Sequence, residues 1–117
     1  MATRDELLAC LAQFRDRCNA DAQLRPMLAD WERTILIRAS DLPAEHLLIV
    51  RGGQVYLEPA AADGADLTVI AESGLLADLF AGRITPTEPY LNGSLRVLGT
   101  EEDIMRLDFI SLMIWGE

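Results

Sequence analysis

Reactive side chains are few in this sequence, and their spacing limits what they can do. The single histidine, His46, heads a strand-like segment. A catalytic triad or a metal site would need partners for that imidazole, and none is spaced to supply them. His46 is therefore read as a surface or hydrogen-bonded core residue. Three consecutive carboxylates, Glu101, Glu102 and Asp103, could divide acid and base roles. They open a helix, however, where negative charge offsets the macrodipole, and are read as capping groups. Cys10 and Cys18 lie eight apart on one expected helix, too distant to bridge, and are read as small apolar residues on its inner stripe. No CxxC, HExxH, GxSxG or phosphate-cradling glycine loop occurs, so no catalytic residue, cofactor or metal is expected.

The elements that would position any site are well punctuated. Thr3 followed by Glu6 forms a capping box for a helix from about Arg4 to Cys18, with Leu7, Leu11, Phe14 and Cys18 inward and Asn19 at its end. Pro26 suits the first turn of a short helix carrying Met27, Leu28 and Trp31. The period then shortens to two. Strands are expected over 32–39, 46–51, 54–59 and 65–71, with Gly52-Gly53 as a two-residue hairpin turn and Asp63-Gly64 as a second turn. Ser73 is read as the cap of a helix over 74–81 that stops at Gly82. Thr85-Pro86-Thr87-Glu88 opens another that stops at Gly93. A fifth strand over 94–98 precedes a last helix from Thr100 and Asp103 to Trp115. Strands grouped before helices predict an α+β fold with one mainly antiparallel sheet, the Gly52-Gly53 hairpin at its centre, and helices packed over it.

A chain of 117 residues makes one domain, spanning 1–117. It carries 19 Asp and Glu against 10 basic residues, all of them Arg, for a net charge of −9. Such a surface repels nucleic acid and anionic lipid headgroups, so any membrane contact is expected to be transient and made by apolar groups. The first residues lack the basic and apolar regions of a signal peptide, and no run reaches the length of a membrane span. With reduced thiols, this points to the cytoplasm.

The last helix is more apolar than a core alone requires. From Ile104 to Trp115 nine of twelve residues are apolar, whereas an apolar stripe of roughly 100° suffices for packing. A second chain, an apolar ligand, a membrane surface or a more enveloping core could cover the excess. Met105 and Met113 lean toward a cavity of variable contents, since methionine is flexible and polarisable. The helix carrying Leu75, Leu76, Leu79 and Phe80 shows the same excess width.

The segment 75–107 resembles the C-terminal half of the sterol carrier protein 2 domain. A leucine-rich helix ends at a glycine (Gly82), and a proline-headed helix (Pro86) carries an aromatic-apolar pair, Tyr90-Leu91. A strand, Gly93-Ser94-Leu95-Arg96-Val97, lies between that helix and a final glycine, Gly99. The likeness covers roughly 30–107 and is strongest over 66–107. It implies a five-stranded sheet covered by helices and enclosing an apolar tunnel for fatty acyl chains, sterols or related lipids, with no catalytic residue. The chain departs from peroxisomal members in ending Trp115-Gly116-Glu117 rather than in Ser-Lys-Leu, and in being acidic. A compact, stand-alone bacterial type fits better, and bacterial relatives in ubiquinone biosynthesis add a prenyl lipid to the expected ligands.

The expected function is thus non-catalytic holding of an apolar lipid. Leu76, Leu79, Phe80, Tyr90, Leu91, Met105, Phe109, Leu112 and Met113 are the expected lining. The alternatives are a ligand-free homodimer seamed by the last helix, and a lipid-holding subunit of a lipid-modifying enzyme.

Overall fold

The computed structural model describes residues 2–43, 45–59 and 65–115, with Ser111, Leu112, Ile114 and Trp115 described by backbone alone. The expected turn at Asp63-Gly64 and the final Gly116-Glu117 lie outside the described residues.

Helix α1 spans Arg4–Ala20 and opens on the expected capping box: the Glu6 N–H donates to Thr3 Oγ1 and the Thr3 N–H to Glu6 Oε1, each at 3.1 Å. Leu7, Leu11, Phe14 and Cys18 are its buried stripe. The helix runs one residue past Asn19, whose side chain has a different task. Its Nδ2 donates to the Val55 carbonyl and its Oδ1 accepts the Val55 N–H, at 2.9 and 2.7 Å. Helix α2, Arg25–Ala29, ends before Trp31, which is buried beyond it.

Five strands follow the period-two pattern: β1 (Arg33–Ala39), β2 (Glu45–Arg51), β3 (Gln54–Pro59), β4 (Leu67–Ala71) and β5 (Arg96–Leu98). Their order is β3-β2-β1-β4-β5, antiparallel at every pairing except β1 with β4, which is parallel. The sheet is mainly antiparallel, as expected, but the Gly52-Gly53 hairpin stands at its edge. β1 takes the centre because it pairs β2 on one side and β4 on the other. Gly52 and Gly53 both have positive φ, 61° and 79°, the geometry of the anticipated turn. Asn19 therefore pins α1 onto the edge strand β3 and occupies backbone groups that would otherwise be open to pairing.

Register places Ile35, Ile37, Leu48, Val50, Val55, Leu67 and Val69 on one sheet face, all in the core. Helix α3, Ser73–Phe80, packs there against α1, with the Phe80 and Phe14 rings edge to face at 5.0 Å. Ser73 is not the cap of α3, because Glu72 holds that position. The buried Ser73 hydroxyl instead joins Asp41 Oδ2 and the Ala2 carbonyl, both at 2.9 Å, locking the chain start to α3. Helix α4, Thr87–Asn92, begins after Pro86 with no side-chain cap, so Thr85 does not act as one. None of its residues is buried, and it ends at Gly93 in the left-handed conformation. Helix α5, Glu101–Trp115, is the last described element.

Candidate functional site

An open apolar cavity of about 660 Å³ lies over the β4–β5 edge of the sheet. Val69 and Val97, paired in register, and Leu95 form its floor. Leu79 and Phe80, in the last turn of α3, form one wall and continue through Ile84 to Pro86. Tyr90 and Leu91 of α4 form another, and the first two turns of α5 close the third with Ile104, Met105 and Leu107. Its size falls within the ~300–1,000 Å³ usual for small-molecule sites. The charged groups on its wall, among the described residues, are Glu101 and Asp108, both exposed. The lining can exclude water from a chain of methylenes.

The α5 wall is held in place by a carboxylate. Asp103 is 7% exposed. Its Oδ1 accepts the Trp31 indole N–H at 2.9 Å, and both its oxygens accept the Arg33 Nε–H at 3.0 Å. The Asp103 N–H donates to Thr100 Oγ1, which caps the helix. Burial pushes the Asp103 carboxyl up, but hydrogen bonds from Trp31, Arg33 and Thr100 outweigh it and hold the group below the usual carboxylate range. Arg106 adds a bond to the Met27 carbonyl and lies over the Trp31 ring. The three carboxylates thus separate. Glu101 and Glu102 stay exposed as helix-start charges, while Asp103 ties α5 to β1 and to Trp31 just before it. A buried tryptophan N–H requires an acceptor, so Trp31 was the signal in the sequence for this role.

His46 differs from its expected setting. It is 4% exposed on the core face of β2, and its Nε2 has no hydrogen-bond partner among the described residues. Burial, with Arg4 nearby, pushes its pKa down. Cys18 is buried and its thiol is pushed up to about 12, first by burial and then by Asp21. Cys10 is half-buried.

Of the residues expected to line a site, Leu79, Phe80, Tyr90, Leu91 and Met105 lie together on the cavity wall. Leu76 does not. It sits one turn before Phe80, fully buried in the core, while the cavity begins at the last turn of α3. Phe109, half exposed, is one turn past Met105 and beyond the wall. Met113 packs partly buried against the core, more than a turn past Asp108, the last α5 residue on the wall. The Leu112 side chain lies outside the described residues. The floor residues Val69, Leu95 and Val97, and Ile84 in the connecting loop, were not anticipated individually.

Solved structures show the same fold across nearly the whole chain. A UbiJ-SCP2 ubiquinone synthesis protein matches at a TM-score of 0.72 and 17% identity, covering 95% of this chain and 92% of its own. The sterol carrier protein domain 2 of Helicoverpa armigera matches at 0.73 and 14%, covering 96% and 90%. The Aedes aegypti sterol carrier protein-2, solved in complex with the C16 fatty acid palmitate, matches at 0.58 and 19%, covering 94% and 96%. No curated protein matches the sequence significantly. The α+β architecture is that of sterol carrier domains. The model of the SCP-2 sterol transfer family matches residues 11–110, and the chain belongs to that family. No helix among the described residues is long and apolar enough to cross a membrane.

Proposed function

We propose that this chain is a non-catalytic lipid carrier that holds the tail of an amphiphile in the cavity over Val69 and Val97. The observation that carries this reading is the cavity itself, roofed by helices that were already too apolar for packing alone. The palmitate complex of the Aedes aegypti relative supports a fatty chain as the type of occupant. Leu79, Phe80, Tyr90, Leu91 and Met105 then contact the tail directly.

The test is uptake of the neutral dye Nile red, followed by native mass spectrometry of lipid-loaded protein. Ile84→Trp, at a partly exposed position on the wall, should fill the cavity and lower uptake at least tenfold with an unchanged circular dichroism spectrum. Undiminished uptake in that variant would refute the site.

The homodimer reading draws on the exposure of Met105 and Phe109 on α5. Phe109→Asp distinguishes the two. A dimer seamed by α5 would dissociate in sedimentation, whereas a carrier would keep both its mass and its uptake.

A further inference from the structure

A second cavity, of about 600 Å³, adjoins the apolar one and differs from it in chemistry. Its polar lining is Ser40, Glu72, Thr85, Glu88, Asn92 and Ser94. The two cavities share Ile84 and Thr85 as a common wall. Helix α4 divides them, turning Tyr90 and Leu91 to the apolar side and Glu88 and Asn92 to the polar side. An apolar chamber and a hydrogen-bonding chamber on either side of one exposed helical turn match the two ends of an amphiphile.

The charges decide which amphiphile. Every charged group lining either chamber, among the described residues, is a carboxylate: Glu72 and Glu88 in the polar one, Glu101 and Asp108 in the apolar one. Among the described residues, no Arg or His lines either. Arg83, adjacent in sequence to the shared wall, is held by Asp78 at 2.8 Å. A fatty carboxylate placed here would meet like charge and find no cation to pair with, within a chain already at −9. Hydroxyl and amine heads can instead donate to the carboxylates and exchange hydrogen bonds with the Ser40, Thr85 and Ser94 hydroxyls.

We infer that the polar chamber receives the headgroup, and that it selects amphiphiles whose head donates hydrogen bonds and bears no negative charge, such as long-chain alcohols and amines. This rests on the carrier reading.

The test is competition against bound Nile red by three probes with one C16 chain: palmitate, hexadecanol and hexadecylamine, each below its aggregation limit. Hexadecanol and hexadecylamine should displace the dye at concentrations at least tenfold below that of palmitate. In the double variant Glu72→Gln, Glu88→Gln the palmitate deficit should shrink at least threefold. Both residues are exposed, and circular dichroism verifies the fold. Palmitate competing as well as hexadecanol overturns the inference and leaves the carrier reading standing. A deficit that closes only in Glu101→Gln, Asp108→Asn puts the head at the other chamber and overturns the assignment. If neither the dye nor any probe binds, the carrier reading falls and this inference falls with it.

Discussion

Truncating Asp103 to alanine separates a structural keystone from a mere helix-start charge. The substitution leaves the buried Trp31 N–H without its acceptor at 2.9 Å, and Arg33 without its ion-pair partner. A hydrogen bond to a charged group contributes about 1.5–3 kcal/mol. The Arg33 side chain is 37% exposed, so its pairing is discounted to roughly 0.5–1 kcal/mol. Loss of a first-turn charge on α5 adds about 0.3–1 kcal/mol. These contributions overlap, and we expect a total of about 2–4 kcal/mol, or a melting midpoint lower by on the order of 10 °C. Urea unfolding followed by circular dichroism measures it. Adding Trp31→Phe to the alanine variant should cost less than it does in the native background, giving a coupling of ~1 kcal/mol or more. Because the same carboxylate sets the position of Ile104, Met105 and Leu107, Nile red uptake should weaken as well. A loss below about 0.5 kcal/mol, or strict additivity with Trp31→Phe, would refute this account.

Three other expectations follow from single side chains. His46 has a folded-state pKa below its unfolded value, so the fold is favoured fully above about pH 6.5 and loses stability as pH falls beneath that into the folded-state pKa. His46→Leu should flatten this part of the urea-midpoint profile, and an unchanged slope would exclude His46 as its source. Gly99 has φ +152°, and a Cβ there would stand 2.5 Å from Leu67 Cδ2 and 2.9 Å from the Asp66 carbonyl oxygen. Gly99→Ala should cost about 1–3 kcal/mol in the same unfolding assay, and a neutral result would count against the close approach. Cys18, with its thiol near 12, should resist maleimide in native buffer at pH 8 and react once the chain unfolds. Rapid native labelling of Cys18 would contradict its burial.

Local signals in the sequence were read correctly where one residue type answers one geometric need. Thr3 with Glu6, and Gly52-Gly53, are such cases. Period-two parity could also have placed His46, since it shares a strand face with Leu48 and Val50, both buried. Reading it as a lone polar residue set that parity aside. Strand order was not legible. Putting β1 at the centre depends on its parallel register with β4, Ile35 opposite Leu67, which no local pattern encodes. The site was legible as a region and less so by residue. Helix α3 is apolar on adjacent faces, so periodicity alone cannot say that Leu79 meets the cavity while Leu76 meets the core. The polar chamber combines hydroxyls from positions as far apart as Ser40 and Ser94, and only the folded chain brings them together.

The parallel pairing of β1 with β4 also dictates a timetable. The β2–β3 hairpin closes over a two-residue turn and can form within microseconds. β4 must bring partners 32 positions apart into register, and the Trp31–Asp103 bond closes a separation of 72. Loop-closure entropy delays both, so β4, then β5 and α5, join a hairpin that is already formed. The last segments to dock are those that wall the cavity. During synthesis, a nascent chain would display most of its sheet before it had any place to put a lipid, and uptake would report completion of the fold rather than its beginning.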